Sequence, residues 1–225
     1  MSSVLPLRLA TFNLYFADRL DRAIGVAAEE PFLAGADLLA LQEADAEAAH
    51  RMADRLGLRV AYHAAARHPR TGRDFGPALL SRWPIAAHRR LELPHSGIHG
   101  LPRIAVAATV LVRDQPVTAY AVHFGTMREI LPGQQAAQAR VVLADAARHA
   151  GPAVVAGDLN RKGLGRLFVE QGWSWLTRDV GRTHLVWSFD HVFVRGLDHG
   201  RAASGSVRAA LTASDHRAVW AEVHP

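Results

Sequence analysis

Short apolar runs, each bounded by polar or turn-forming residues, recur from one end of the chain to the other. They are often rich in β-branched residues and are too short for core helices, so the pattern predicts buried β-strands. The predicted strands are Leu7–Asn13, Asp37–Gln42, Pro77–Ser81, Ile104–Val112, Val117–His123, Ala153–Gly157, His191–Val194 and Ala218–Val223.

Between these runs lie segments whose apolar residues recur with a helical period of about 3.6 residues. The longest, Gly133–His149, is followed by Gly151-Pro152, a pair that is typical of a helix stop. Asp18 or Asp21 is expected to cap the first helix. The predicted helices run from one of these aspartates to about Glu30, from Ala46 to Leu56, and over Gly133–His149.

The order of the predicted elements distinguishes between two kinds of α/β protein. Strict alternation of strands and helices would favour a single parallel sheet. Here several strands follow one another between the helices, which predicts hairpins and therefore mixed sheets. We expect an α/β fold in which two mixed β-sheets pack face to face with helices outside, a four-layer α/β sandwich. No linker divides the chain, so residues 1–225 are predicted to form a single domain.

Composition excludes several kinds of chemistry. The chain has no cysteine, so disulfides, zinc–thiolate sites and cysteine nucleophiles are ruled out. Met1–Phe12 has no basic segment followed by a long apolar run, and no apolar stretch is long enough to span a bilayer. These features predict a cytoplasmic protein. The formal net charge of +5 favours anionic partners such as phosphate esters, nucleic acid or anionic lipid surfaces.

Polar side chains able to do chemistry recur where the predicted strands end. In α/β proteins, ligands bind outside the carboxyl ends of strands, where the loops emerge. Five such endings, and one segment that precedes the last strand, are Thr11-Phe12-Asn13, Leu41-Gln42-Glu43, Val122-His123, Gly157-Asp158-Leu159-Asn160, Phe189-Asp190-His191 and Ser214-Asp215-His216.

Each of these segments, taken alone, also has a structural explanation. Asn13 fits a strand-end Asx turn, and His123 fits a hydrogen-bonded core histidine. Asn160 fits a helix N-cap, Asp190 could pair with an arginine, and Ser214-Asp215 fits a capping element or an ST turn. Taken together, the carboxylates, amides and histidines of these segments favour metal-assisted phosphoryl chemistry.

The types of ligand available indicate which metal to expect. A hard cation such as Mg²⁺ prefers oxygen ligands and keeps several of its waters, so one or two carboxylates are enough to hold it. His-x-x-x-His spacing occurs once, at His95 and His99, outside the strand-end segments, and paired-cysteine spacings are absent, which argues against zinc. The sequence therefore predicts Mg²⁺ as the cofactor, with Mn²⁺ as an alternative.

The same segments resemble, in order, the motifs of the endonuclease/exonuclease/phosphatase superfamily, which includes deoxyribonuclease I, AP endonucleases, neutral sphingomyelinases and inositol polyphosphate 5-phosphatases. The resemblance spans residues 8 to 223. Tyr15 and His123 differ from the AP-endonuclease pattern. The segments that carry the resemblance are Ala10-Thr11-Phe12-Asn13, Leu41-Gln42-Glu43, Leu80-Ser81-Arg82-Trp83-Pro84-Ile85, Val122-His123, Gly157-Asp158-Leu159-Asn160, Phe189-Asp190-His191-Val192-Phe193-Val194 and Ser214-Asp215-His216.

The resemblance implies a role for each matching carboxylate and amide. Glu43 is similar to the principal metal ligand of the family, with Asn13 and Asp215 near the ion or its waters. Asp158 and Asn160 are similar to the pair that orients the attacking water and the scissile phosphate. Both asparagines are therefore also expected to contact the substrate.

The resemblance implies further roles for the histidines and their partners. His216 resembles the histidine that contacts the phosphate or acts as general base, with Asp190 as its carboxylate partner. His123 resembles a second histidine, which donates to a phosphate oxygen or protonates the leaving group. Arg103 is implied as a phosphate contact. A histidine beside a carboxylate has a fixed tautomer and raised basicity, which suits proton transfer at neutral pH.

These expectations lead to one main hypothesis, the divalent-metal-dependent hydrolysis of a phosphoester by water that the metal and a histidine activate. The enzyme would be a phosphodiesterase, nuclease or phosphatase. The alternative is a catalytically inactive phosphate- or nucleic-acid-binding protein with the same fold. DNA, RNA, phospholipid and small molecules are all open as substrates, with one or two metal ions. We expect selectivity to depend on the loops Arg67–Phe75, His95–Leu101 and Gly125–Leu131.

Four more residues are candidates for the site. Asp74 is a possible acidic partner for His123, and His184 precedes the strand that carries Asp190. Trp173 and Trp175 could flank a substrate cleft or stack on bases, although tryptophans at this spacing more often pack in the core or at its rim.

Overall fold

The computed structural model describes residues 6–68, 71–96, 100–198 and 200–224, with the backbone alone for residue 224. Residues 1–5 lie outside the described residues. So do residues 69–70 and 97–99, which belong to two of the predicted selectivity loops. No helix within the described ranges is long and apolar enough to cross a membrane.

The strands, numbered in chain order, form two sheets. Within the described residues these are β1 Leu7–Asn13, β2 Leu38–Ala44, β3 Arg59–Tyr62, β4 Ala66–Arg67, β5 Asp74–Ser81, β6 Ile85–Leu93, β7 Arg103–Val112, β8 Gln115–His123, β9 Ala153–Asp158, β10 Ser174–Trp175, β11 Asp190–Arg195, β12 Arg201–Val207 and β13 Ala218–His224. The first sheet has the order β12-β13-β1-β2-β5-β3, with β4 beside β5, and the second has the order β10-β11-β9-β8-β7-β6.

Both sheets are mixed, because each contains parallel and antiparallel neighbours. In the first sheet β1 runs parallel to β2, and its other described pairs are antiparallel. In the second sheet β8 runs parallel to β9, and the other described pairs are antiparallel. The prediction of two mixed sheets is confirmed.

Successive residues of the central strands are buried on opposite faces, which explains why their sequences read as continuous apolar runs. In β1, Leu9 packs between the two sheets, and the next residue, Ala10, packs toward the helices. In β9, Val154 faces the other sheet, and Val155 faces the helix layer on its own side. Three apolar layers therefore separate helices, sheet, sheet and helices, and the predicted four-layer sandwich is confirmed.

The helices cover the outer faces of the sheets and, in the described chain, are α1 Leu20–Glu29, α2 Pro31–Ala34, α3 Ala46–Leu56, α4 Pro132–Ala146 and α5 Gly165–Glu170. Asp45 caps α3 by accepting from the N–H of Ala48 at 2.8 Å. The prediction that Asp18 or Asp21 caps α1 is wrong, because the residue before that helix is Arg19 and no side chain caps it. Proline starts both α2 and α4, where its missing N–H costs nothing.

Within the described residues, five strands and two helices have no counterpart among the predicted elements, namely β3, β4, β6, β10, β12, α2 and α5. β6 and β12 lie at edges of the sheets and are largely exposed, so their sequences carry arginine, histidine, serine and glycine instead of an apolar run. The short helix α5 spans little more than one turn. Edge strands and one-turn helices bury too little surface to leave a periodic signal.

Strand direction and register gather the polar strand ends at one edge of the sandwich. His123 ends β8 directly beside Asp158, which ends the parallel strand β9. Asp190 is also a register partner of Asp158, but it begins β11 and does not follow a strand as the apolar pattern predicted. Because β11 runs antiparallel to β9, the start of β11 lies at the same edge as the end of β9.

Candidate active site

An open cleft of about 350 Å³ lies at this edge. The predicted residues that line it are Glu43, His123, Asp158, Asn160, Asp215 and His216. Asn13, Arg103 and Asp190 are buried and contact residues of the lining. The structure thus brings the nine residues selected from the sequence into one cluster.

Asn13 and Glu43 lie at the ends of the parallel pair β1 and β2. The Asn13 side-chain amide donates to Glu43 Oε1 at 3.4 Å and to Asp158 Oδ2 at 3.2 Å. Glu43 Oε2 accepts from the backbone N–H of Phe16 at 3.1 Å. Glu43 has a φ of 55°, in the left-handed region that few residues other than glycine adopt. This conformation occurs where β2 departs from regular pairing with β5.

The Glu43 carboxylate lies in a site that is short of positive charge. Burial is the main influence and raises its pKa to about 7. Arg103 and His216 lower this pKa, and Asp158 raises it, without reversing the effect of burial. A carboxylate that is poorly compensated in this way favours the approach of a further cation.

Asp158 is the most central carboxylate of the cluster and is 1% exposed. Its Oδ1 accepts from the backbone N–H of Asn160 at 2.7 Å. Its Oδ2 lies 3.8 Å from Nε2 of both His123 and His216. Burial, and then the neighbouring Asp190, raise the pKa of Asp158 to about 6. A buried carboxylate between two imidazoles is suitably placed to exchange protons.

The Asn160 side chain does not cap a helix, so the structural explanation that the sequence offers for this residue does not hold. Its Nδ2 donates to the carbonyl oxygen of Phe124 at 2.9 Å. The residue has a φ of 52°, a left-handed conformation that asparagine tolerates better than most residues. The amide therefore ties the end of β9 to the loop that follows β8.

His216 and Asp190 form a buried pair in which His216 Nδ1 and Asp190 Oδ2 are 2.9 Å apart. Asp190 therefore pairs with a histidine and not with an arginine. Burial lowers the pKa of His216, but Asp190 and Asp158 outweigh burial and raise it to about 10. His216 consequently holds a proton at neutral pH, with Nε2 facing the cleft. The backbone N–H of Asp190 lies 3.3 Å from the hydroxyl of Thr183, which helps to fix the pair.

His123 lies between Arg103 and two carboxylates. Arg103 Nη1 lies 3.3 Å from His123 Nδ1 and 3.5 Å from Nε2. A guanidinium only donates and the carboxylates face Nε2, so we assign the nearer Nδ1 as the acceptor and place the ring proton of neutral His123 on Nε2. Burial, followed by Arg103 and His216, holds the pKa of His123 well below its ordinary value. Nε2 therefore presents an N–H near Asp158 and Glu43, each 3.8 Å away.

Arg103 is itself held by a residue that sequence reasoning did not select. Its Nη2 is 2.7 Å from Glu129 Oε2, and both side chains are largely buried. Glu129 Oε2 also accepts from the backbone N–H of Thr126 at 3.0 Å. Burial acts to raise the pKa of Glu129, but Arg103 and the Thr126 contact outweigh it and hold the pKa below 4.5. Arg103 thus contacts His123, and Glu129 in turn contacts Arg103.

Replacing Glu129 by glutamine is expected to lower the free energy of unfolding by about 2 kcal/mol at neutral pH, because Arg103 would lose its buried countercharge. The folded-state pKa of Glu129 is depressed, so this stabilisation exists above the unfolded pKa and is lost as the pH falls below 4.5. Urea denaturation at several pH values measures the difference. Glu92→Gln is the matched control, since Glu92 pairs with Arg90 on the exposed surface. Equal effects of the two substitutions would contradict the argument.

Asp215 and His184 form one wall of the cleft. The Asp215 side chain is 41% exposed, and its Oδ2 lies 3.3 Å from His184 Nε2. The His184 ring stacks on the ring of His216 with their centroids 4.5 Å apart. His184 therefore belongs to the site, next to the catalytic candidates.

The other three residues that the sequence left open do not line the cleft. Asp74 is exposed and pairs with Arg67 at 3.3 Å. Trp173 is 3% exposed and lies beneath the guanidinium of Arg195, 5.1 Å from the ring centroid. Trp175 packs edge-on against the ring of His191. Both tryptophans are packing residues.

Two stacked mixed sheets, with carboxylates and histidines gathered at one edge, define the deoxyribonuclease I-like class of α/β sandwich. The chain belongs to the Endonuclease/Exonuclease/phosphatase family, whose sequence profile matches residues 10–216. The resemblance seen in the strand-end motifs is therefore confirmed. Phosphoester hydrolysis in general is the chemistry of this family. No curated protein sequence shows a significant match to the chain.

Several solved structures share the fold. Sphingomyelinase C from Streptomyces griseocarneus has a TM-score of 0.77 and 16% identity, over 98% of this chain and 100% of that one. Truncated TDP2 from Caenorhabditis elegans has a TM-score of 0.73 and 15% identity, over 98% of each chain. An endonuclease/exonuclease/phosphatase from Beutenbergia cavernae DSM 12333 has a TM-score of 0.73 and 21% identity, over 98% of this chain and 72% of that one.

Proposed function

We propose that this protein is a divalent-metal-dependent phosphoester hydrolase that uses activated water and forms no covalent intermediate. The observation that carries the proposal is the buried pair of His216 and Asp190, which faces Asp158 across 3.8 Å at the base of an open cleft. His123 lies on the other side of the same carboxylate. An imidazolium, a neutral imidazole and a carboxylate in contact supply both a proton donor and a proton acceptor.

The donor set of the cleft fits a hard divalent cation. Glu43 would hold the ion, with Asn13 and Asp215 close to it or to its waters, and Mg²⁺ with Mn²⁺ as an alternative suits these oxygen donors. The raised pKa of Glu43 supports this assignment, because a cation would compensate the buried carboxylate. When bound, the ion would stabilise negative charge that develops on the phosphate.

Two other groups in the described chain place ligand atoms within 4.8 Å of one another, namely Asp158, Asp190 and His216, and His184, Asp215 and His216. Both groups depend on His216. The raised pKa of His216 favours a proton on its Nε2 over a metal ion. We therefore assign the ion to the oxygen donors around Glu43.

The chain's own residues would divide the chemistry as follows. Protonated His216 donates from Nε2 to a phosphate oxygen, while Asp190 keeps its ring oriented. Asp158, with its raised pKa, accepts the proton of the attacking water, and Asn160 helps to orient the phosphate. Neutral His123 donates a hydrogen bond from its Nε2–H to a phosphate oxygen, and the proton that the leaving group takes up comes from protonated His216. In this assignment Arg103 positions His123 and does not itself contact the phosphate, because Glu129 already occupies it.

The substrate class is open at this level among phosphodiesterase, nuclease and phosphatase activities. The family's name covers nucleases and phosphatases, and one solved structure with this fold is named a sphingomyelinase. The second candidate function is a catalytically inactive binder of phosphate or nucleic acid. The complete set of Glu43, Asp158 and His216 in one cleft favours the enzyme. A cytoplasmic location stays a prediction.

We expect the purified protein to hydrolyse a phosphoester only when Mg²⁺ or Mn²⁺ is present, because the buried acidic cluster needs a cation before it can accept an anionic substrate. A panel of supercoiled plasmid, bis(p-nitrophenyl) phosphate, p-nitrophenyl phosphate and phospholipid micelles, each with and without EDTA, measures this. Restored activity after metal is added back is the control for folding. Hydrolysis that is unaffected by EDTA would contradict the metal assignment. Binding without hydrolysis, if it survives EDTA and falls with salt, would favour the inactive binder.

A further inference from the structure

A short turn at the mouth of the cleft exposes three consecutive apolar side chains. Leu185 is 71% exposed, Val186 is 74% exposed and Trp187 is 52% exposed. Single exposed apolar residues are common on soluble proteins, but three adjacent large ones beside an active-site cleft are a feature that calls for an explanation. We call these three residues the apolar tip.

The backbone of the apolar tip is strained. The turn is closed by hydrogen bonds from the N–H of Trp187 to the carbonyl of His184 at 2.8 Å, and from the N–H of Thr183 to the carbonyl of Trp187 at 2.7 Å. Leu185 sits in this turn with a φ of 48°, in the left-handed region that suits glycine and disfavours leucine. A glycine there would remove both the strain and an exposed apolar side chain. Strain kept at such a place is a pointer to function.

The apolar tip is rigidly attached to the catalytic cluster. The Thr183 hydroxyl accepts from the N–H of Phe189 at 2.9 Å, and it lies 3.3 Å from the N–H of Asp190. The next residue, His184, stacks on His216. Whatever the tip contacts is therefore held at a fixed position relative to the reacting groups.

The rim around the tip combines apolar and basic residues. Met127, which is 39% exposed, lines the same cleft as Leu185 and Trp187. Arg128 lines the cleft beside Met127, and it is exposed, as is Arg182 on the tip side. An apolar tip flanked by arginines matches the two layers of an anionic bilayer surface, hydrocarbon below and phosphate above.

We propose that the apolar tip inserts into the surface of an anionic phospholipid bilayer and holds the cleft over a lipid phosphoester. This inference rests on the proposed hydrolase function and specifies its substrate class. Tryptophan commonly lies at the membrane interface because one end of its ring system is polar. The arginines would meet the lipid phosphates.

Two other occupants fit the tip less well. Nucleic-acid bases stack on aromatic rings, but Leu185 and Val186 are aliphatic, and the Trp187 ring already lies parallel to that of Phe189 at 6.2 Å. A second copy of the chain would need a much larger contact, since stable interfaces bury about 1,200 Å² or more. Three side chains fall well short of that area.

The test measures binding to vesicles of phosphatidylcholine with phosphatidylglycerol, compared with phosphatidylcholine alone. Co-sedimentation should show tighter binding to the anionic vesicles. The tryptophan emission of the wild-type protein should shift to the blue when vesicles are added, and Trp187→Phe should lose this shift. Val186→Glu should weaken vesicle binding about tenfold or more, because it places a charge in the inserted tip. Val169→Glu is the matched control on α5, where Val169 is also an exposed valine, and should change binding less than about twofold.

The outcomes separate this inference from the proposed function. Failure of the wild-type protein to bind vesicles, or equal effects of both glutamate substitutions, would overturn the docking surface. Loss of single-stranded DNA binding or of self-association in Val186→Glu, with vesicle binding unchanged, would reassign the tip to those partners. Hydrolysis of bis(p-nitrophenyl) phosphate by the wild-type protein is followed in parallel. Vesicle binding without any phosphoester hydrolysis would overturn the hydrolase proposal and leave the bilayer contact standing.

Discussion

Replacing Asp158 by asparagine is expected to lower phosphoester hydrolysis by about a thousandfold, because positioned acid–base groups contribute roughly 10²–10⁴ in rate. Asp158 Oδ2 lies 3.8 Å from Nε2 of both His123 and His216, and Asp158 is the proposed acceptor for the proton of water. Asparagine keeps the shape of the side chain but cannot accept that proton. The rate is measured at saturating metal on whichever phosphoester the wild-type protein cleaves.

The comparison needs a folded variant and a matched substitution. Burial and Asp190 raise the pKa of Asp158, so removing its charge relieves repulsion, and Asp158→Asn should unfold at a temperature no lower than the wild type. Asp114→Asn is the control, since Asp114 is exposed in the turn between β7 and β8. It should retain activity within about twofold. Equal rates for Asp158→Asn and the wild type would remove Asp158 from the mechanism.

Replacing Gly157 by alanine is expected to lower the free energy of unfolding by about 3 kcal/mol or more. A Cβ atom at this position would lie 2.0 Å from the carbonyl oxygen of Val122, and the φ of 152° is one that side chains rarely adopt. Gly157 and Val122 are register partners in the parallel pair β8 and β9, so the strands would have to separate. Urea denaturation measures the loss.

Gly163→Ala provides the matched control for this effect. No heavy atom lies within 4 Å of the Cβ position at Gly163, which belongs to a single helical turn, Lys162–Leu164. This substitution should change the free energy of unfolding by less than about 0.5 kcal/mol. If Gly157→Ala were tolerated as well as Gly163→Ala, the close approach of β8 and β9 would not be the reason for glycine before Asp158.

The interior strands could be predicted from the sequence, because burial on both faces forces continuous apolar runs such as Ala153–Gly157. The edge strands could not be predicted in this way. β6 and β12 are held by backbone pairing with one neighbour, and backbone hydrogen bonds leave no trace in side-chain hydrophobicity. The start of α1 was also predicted wrongly. The sequence favours Asp18 or Asp21 as its cap, but the helix begins after Arg19 without a side-chain hydrogen bond.

The catalytic candidates were visible because they follow or precede apolar strands in a fixed order, whereas their supports were not. Glu129 looks like one more charged loop residue until Arg103 is seen folded against it. Thr183 lies seven residues before Asp190 and reaches its backbone only through the turn between them. The hydrogen bond that helps to fix the Glu43 carboxylate comes from the backbone N–H of Phe16, so the residue type at position 16 gives no sign of it. Which residues make these supporting contacts depends on how the chain folds, and the local sequence does not reveal it.

The candidate catalytic residues are divided between the two sheets. Asn13 and Glu43 come from the first sheet, while His123 and Asp158 come from the second, and side-chain packing together with the hydrogen bond from Asn13 to Asp158 joins the two halves. The spacing of the sheets therefore sets the distance between the proposed metal-binding residues and the proposed proton-transfer residues. A conservative substitution in the interior between the sheets would therefore change the rate of hydrolysis, although it would alter no residue of the cleft.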